Sequence, residues 1–122
     1  MRELQLKLRR VGAVKVIEMT GVLDAVAFTE FRATLMRVME EVTPCIVLEC
    51  SGVTYIGCAQ LKELINLGHD ARLRDGGLKY VGLPRVIRHM ADLIAGDELM
   101  EFYDDMPQAL EAFRRLSACG CT

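Results

Sequence analysis

The run Ile46-Val47-Leu48-Glu49-Cys50-Ser51-Gly52-Val53-Thr54-Tyr55-Ile56-Gly57-Cys58-Ala59-Gln60-Leu61 decides the fold. Cys45 to Leu48 is continuously apolar, as suits a central strand covered on both faces. A short turn holding Ser51 and Thr54 is expected next, and a long helix from about Cys58 to Arg74. Leu61, Leu64, Ile65, Leu67, Gly68 and Ala71 form a wide apolar band on that helix, so it should be substantially buried. Asp75-Gly76-Gly77 supplies its end, with glycine taking the left-handed conformation past the last turn.

Working back from this run, Leu4, Leu6 and Leu8 alternate with Gln5, Lys7 and Arg9, the period of a strand with one wet face. Arg10-Val11-Gly12-Ala13 reads as a turn. A second strand through Val14, Val16, Ile17 and Met19 is apolar on both faces at its centre and should end at Gly21. So tight a connection implies an antiparallel hairpin. The period then changes. Phe28, Phe31, Leu35, Val38, Met39 and Val42 fall at steps of three and four, one face of an amphipathic helix that Thr43-Pro44 stops.

Working forward, Leu78-Lys79-Tyr80-Val81 is a fourth strand. Gly82-Leu83-Pro84 leads into a third helix, with Pro84 in the first turn where a missing N–H costs nothing. Val86, Ile87, Met90, Ala91 and Ile94 give that helix a core face, and Ala95-Gly96 closes it. Met100-Glu101-Phe102-Tyr103 has the length of an edge strand. Asp105 and Gln108 have capping-box spacing, opening a last helix with Met106, Ala109, Leu110, Phe113 and Leu116 inward. Helices between successive strands imply right-handed crossovers and an α/β fold. The expected sheet is mostly parallel, four- to five-stranded, with an N-terminal β-hairpin and about four helices. Residues 1–118 should form one domain and 119–122 a C-terminal tail.

Composition narrows the function classes. At 122 residues the chain suits one core, and its apolar and charged fractions, 52% and 26%, are globular values that argue against disorder. A net charge of −2 gives no electrostatic footprint for nucleic acid. No apolar run approaches the roughly 20 residues that cross a bilayer, and the start does not read as a signal peptide, so a cytoplasmic protein without membrane insertion is expected. Five cysteines, an odd count without secretory context, argue against a disulfide framework. Cys45 and Cys50 read as small buried hydrophobes. Cys119 and Cys121 lack the further ligands a metal site needs, so neither metal nor cofactor is expected.

Nor is a catalytic constellation evident. His69 and His89 come without a nucleophile at an interpretable spacing, and Glu49 is a carboxylate without an acid–base partner. No phosphate-binding glycine loop or Gly-x-Ser-x-Gly elbow occurs. The chain therefore reads as a binding module and not an enzyme. Most methionines, including Met36, Met39, Met90, Met100 and Met106, suit packing on the helix faces.

Three stretches carry a resemblance. Gly21-Val22-Leu23-Asp24-Ala25 is similar to the Gly-x-Leu-Asp-Ala of the STAS domain family, the fold of bacterial anti-sigma factor antagonists. Val53-Thr54-Tyr55-Ile56 resembles the run before that family's phosphoacceptor. Leu83-Pro84-Arg85-Val86-Ile87-Arg88, with Phe102-Tyr103-Asp104-Asp105 and Ala109-Leu110, resembles its last third. The likeness spans about Leu4 to Leu116 and implies the STAS fold.

In phosphorylatable members the second helix opens with Asp-Ser-Ser/Thr-Gly, whose second hydroxyl residue is phosphorylated by the anti-sigma factor, itself a kinase. Here those places hold Gly57, Cys58, Ala59 and Gln60. Alanine has no oxygen to modify, so the resemblance implies an antagonist-like, phosphorylation-independent module that binds a protein, such as an anti-sigma factor of the histidine-kinase-like ATPase type. Leu23, Asp24 and Ala25 with Gly57, Cys58, Ala59, Gln60, Leu61 and Lys62 should form one recognition surface, because both segments follow parallel strands. Asp24, an exposed carboxylate, is expected to set partner choice electrostatically.

Other roles remain open at this level. One is a STAS subunit of an ABC-type transporter or of a stress-signalling scaffold, with self-association through sister domains. Another is a sensor holding a small anionic ligand at the helix start. Cys58, a thiol at a helix N-terminus, would suit a redox switch. Ser51 and Thr54 are neighbouring hydroxyls, though turn residues of this kind usually bond their own backbone.

Overall fold

The computed structural model describes residues 3–95 and 100–115. Its elements run β1 (Gln5–Val11), β2 (Val14–Leu23), α1 (Ala25–Met39), β3 (Cys45–Ile56), α2 (Cys58–Leu73), β4 (Gly77–Val81), α3 (Arg85–Ala95), β5 (Glu101–Tyr103) and α4 (Met106–Arg114). The strands form one sheet in the order β1-β2-β3-β4-β5. β1 pairs with β2 antiparallel, and the remaining pairs are parallel. The expected hairpin, mostly parallel sheet and four helices are therefore present. Gly96, Leu116, Cys119 and Cys121, and with them the proposed boundary at 118, lie outside the described residues.

Two apolar clusters cover the sheet unequally. One face meets α1, α2 and α3 through Phe31, Leu35, Leu61, Leu64 and Ala91, which pack on Ile17, Ile46, Leu48 and Leu78. Each fully buried large side chain of this kind contributes roughly 1.5–3 kcal/mol relative to exposure. The other face meets α4 through Ala109 and Phe113, which pack on Val14, Val16, Val47 and Val81. β2 thus supplies both clusters, as its two apolar faces require. Among the described residues Lys79 is the buried charged side chain. Its ammonium pairs with Glu101, its cross-strand neighbour, and lies 4.6 Å from the centre of the Phe113 ring. A buried cation needs such compensation to stay charged.

Several local expectations are corrected. β2 does not stop at Gly21 but continues to Leu23, and β3 runs 12 residues straight through the expected turn. Two irregularities explain this. Glu18 pairs with Glu49 but Thr20 with Gly52, and Gly21 pairs with Val53 but Val22 with Tyr55, so β3 carries one extra residue at each step. One extra residue flips the alternation of faces, and a second restores it. Ile46, Leu48 and Cys50 accordingly enter the large cluster, then Val53 after the first bulge and Ile56 after the second. Thr54 spends its hydroxyl on the Gly21 carbonyl at 3.3 Å, and Ser51 donates to the Glu49 carboxylate at 2.7 Å.

Two side chains also fall elsewhere than their periodicity suggested. α1 ends at Met39, before the Thr43-Pro44 stop, which leaves Val42 exposed. Val86 points away from the α3 core face, which is carried by Ile87 and Ala91. Cys45 is buried as expected, but it is disulfide-bonded and not a free thiol.

The end of α2 is a Schellman turn with an unexpected residue in the left-handed position. Asp75, at φ +66°, donates its N–H to the Arg72 carbonyl, and Gly76 donates to Ala71. Aspartate tolerates this region better than most residues. Gly76 is needed for a different reason: a Cβ there would lie 1.9 Å from the Pro44 carbonyl oxygen, which also accepts from Gly77 N–H. Backbone cannot yield as a side chain can. Gly76→Ala is expected to lower the unfolding free energy by about 1–3 kcal/mol in urea titration. Wild-type stability in that variant would contradict the close approach.

Candidate functional site

The two predicted recognition segments meet at the carboxyl ends of β2 and β3. Leu23 and Ile56 are register partners, and the next residue, Gly57, donates its N–H to the Leu23 carbonyl at 3.2 Å. The starts of α1 and α2 are therefore tied side by side by main chain. α3, which follows β4 in the same parallel sense, begins at this edge too.

The two helix starts are built differently. Asp24 is the N-cap of α1, and its Oδ1 accepts the Ala27 N–H at 2.9 Å. That bond satisfies one first-turn donor and leaves the second carboxylate oxygen available. Gly57 is the N-cap of α2 and supplies no side-chain cap. The Gln60 side chain folds back so far that a Cβ on Gly57 would lie 2.0 Å from Gln60 Oε1. The first donors of α2 thus remain free of a capping side chain, and none of α1, α2 or α3 has an acidic residue in its first turn.

Burial divides the named residues into two groups. Leu23 and Leu61 are fully buried and Gly57 is buried, so they anchor the edge from beneath. Ala25, Cys58, Ala59 and Lys62 are exposed, with Asp24 and Gln60 half-buried, so these six form the accessible surface. Three large apolar side chains that sequence reasoning did not assign here share the edge: Val26 on α1, Tyr55 at the end of β3 and Val86 on α3, at 84%, 51% and 78% exposure. Val26 carried a usable signal, being an apolar residue off the Phe28–Phe31–Leu35 stripe. The Cys58 Sγ lies 3.4 Å from Met90 Sδ, which joins α2 to α3 here.

The remaining chemical candidates are quickly placed. His69 and His89 are exposed on α2 and α3. Cys50 is fully buried, and burial first, then the Glu49 carboxylate, pushes its thiol well above the usual range. Cys58 is the exposed free thiol among the described residues. Among those residues no three of His, Cys, Asp and Glu converge closely enough to hold a metal ion, and no helix is long and apolar enough to cross a membrane.

This architecture agrees with the family comparison, in which the STAS domain matches residues 5–109. The chain belongs to the STAS domain family. Solved structures repeat the fold across nearly its whole length. A candidate anti-sigma factor antagonist of Thermotoga maritima superposes with a TM-score of 0.81 at 19% identity, covering 90% of this chain and 95% of the other. An anti-sigma factor antagonist from Mycobacterium paratuberculosis gives 0.76 at 22% identity, covering 91% and 94%. RsbS of Moorella thermoacetica, in a serine-to-glutamate form, gives 0.74 at 14% identity, covering 93% and 98%. At such identities the likeness is one of fold. No curated protein sequence matches the chain significantly.

In this STAS domain Asp24 has a structural task besides any contact it makes, and two substitutions separate them. Asp24→Ala should cost about 1 kcal/mol of stability in chemical denaturation, through the lost cap. Asp24→Asn keeps a capping oxygen while removing the charge, so its stability should stay near wild type. Equal losses in both would show that the carboxylate charge, not the cap, holds α1.

Proposed function

We propose that this STAS domain is a non-catalytic regulatory module that binds a protein partner at the joined starts of α1 and α2, in the manner of an anti-sigma factor antagonist. The observation that carries this reading is the Gly57–Leu23 main-chain bond, which unites Asp24 and Ala25 with Cys58, Ala59, Gln60 and Lys62 on one accessible edge. Exposed Val26, Tyr55 and Val86 around small residues give that edge the mixed apolar and polar character of a docking surface. Anti-sigma factor antagonist is also the role named for the Mycobacterium relative.

Phosphorylation has no part in this reading. Ala59 stands at the second residue of α2, the place where phosphorylatable relatives carry their acceptor, and its methyl group cannot be modified. Ser51 and Thr54 do not replace it, because both hydroxyls are engaged within the sheet, away from the helix start. The domain is thus read as permanently competent to bind, acting in the cytoplasm on a partner such as a histidine-kinase-like anti-sigma factor.

A charge at position 59 tests this directly. A phosphate weakens contacts of this kind by repulsion and desolvation. Ala59→Glu should reduce capture of the partner from a lysate of the source cells by at least about tenfold, with captured proteins identified by mass spectrometry. Ala59→Ser, which adds only a hydroxyl, should stay within about twofold in the same assay. Capture unchanged in folded Ala59→Glu would remove this edge as the docking surface.

A further inference from the structure

A groove of about 910 Å³ opens beside the start of α1, between that helix and the N-terminal segment. Leu4, Val22 and Val26 contribute apolar surface to it, while Glu3, Asp24 and Glu30 contribute carboxylates, and among the described residues no cationic side chain lines it. Glu18, Glu41, Glu63, Glu101 and Glu111 each face a lysine or arginine elsewhere in the molecule. Among the described residues Glu3 and Glu30 face none. A larger groove below α4 shows the contrast: Arg72, Lys79 and Arg115 there stand with Asp75, Glu101 and Glu111, so its charges are balanced.

We propose that the α1 groove seats a lysine- or arginine-bearing segment of the same protein partner. This rests on the docking reading above and adds the partner's chemistry. A long basic side chain suits both features of the groove. Its methylene stem can lie along the apolar floor while its cationic head reaches the carboxylate rim. A metal ion suits neither, because the three carboxylates do not converge on one point. The groove is continuous with the recognition edge through Asp24 and Ala25, which belong to both. One oxygen of Asp24 is held by the α1 cap, so Glu30 and Glu3 carry most of the selectivity. Complementary charge of this kind chiefly guides encounter and fixes orientation.

Photocrosslinking with the full chain tests the assignment. A photoreactive amino acid is placed at Val26 for the groove and, in a second protein, at Ala59 for the edge, and each is irradiated in a lysate of the source cells. Crosslinked peptides are then sequenced by mass spectrometry. The Val26 probe should join a peptide with lysine or arginine within a few residues of the crosslink. Glu30→Lys, at an exposed position and verified as folded by its thermal melt, should cut that yield at least about fivefold. A crosslinked peptide without a basic residue, or a yield indifferent to Glu30→Lys, overturns the proposal. Crosslinking at Ala59 with none at Val26 overturns the groove alone and leaves the docking edge standing. No crosslink at either position removes both.

Discussion

Pairing of β2 with β3 governs most of what this molecule presents to its surroundings. The two strands run parallel, and β3 absorbs two extra residues on the way. Without both, Ile56 could not face the core opposite Leu23, and Gly57 could not reach the Leu23 carbonyl. Two bulges in a central strand sacrifice regular ladder bonds, an expense that a buried sheet bears only where neighbouring groups repair the damage. Thr54 makes one such repair by donating to the Gly21 carbonyl. The consequence is geometric: two helix starts emerge from adjacent strands with a main-chain bond between them.

The apolar clusters give this edge a firm base. Leu23 and Leu61 lie directly beneath it at zero exposure, in the same cluster as Phe28, Phe31 and Ile56. Packed interiors resist small displacements, so residues mounted on such a base keep their mutual positions. The exposed groups above, from Val26 to Ala59, are consequently presented by rigid elements. Asp24 illustrates the economy of the arrangement, because a single oxygen closes the helix turn and leaves the other outside the cap.

Much of the fold was legible because its signals are local and regular. The stripe of α1 as far as Met39, the stripe of α2 and the Asp105–Gln108 cap of α4 appear where spacing and capping chemistry place them, while Pro84 lies one residue ahead of α3 and not in its first turn. The cap is realised as a 3.0 Å bond from Gln108 N–H to Asp105 Oδ1. What escaped detection depended on tertiary detail. The second half of β3 looked like a turn because bulges destroy its period of two. Val86 looked inward because it neighbours Ile87, although helix geometry turns the two about 100° apart. The Gln60 fold-back over Gly57 has no sequence signature, since only packing reveals it. At the candidate site, the meeting of the two segments was anticipated from their place after parallel strands, and Val26 stood out as an apolar residue off its stripe, whereas Tyr55, Val86 and the acidic groove required the assembled sheet.

Native-state hydrogen exchange at Gly57 probes the central claim most directly. Its amide should be protected to the level of the β3 core amides, because it opens only when β2 and β3 separate. The Cys58 and Ala59 amides, first-turn donors without a capping side chain, should exchange far faster. Gly57 exchanging as fast as these two neighbours would mean that the Leu23 link is not formed, and that the two helix starts do not share one fixed edge.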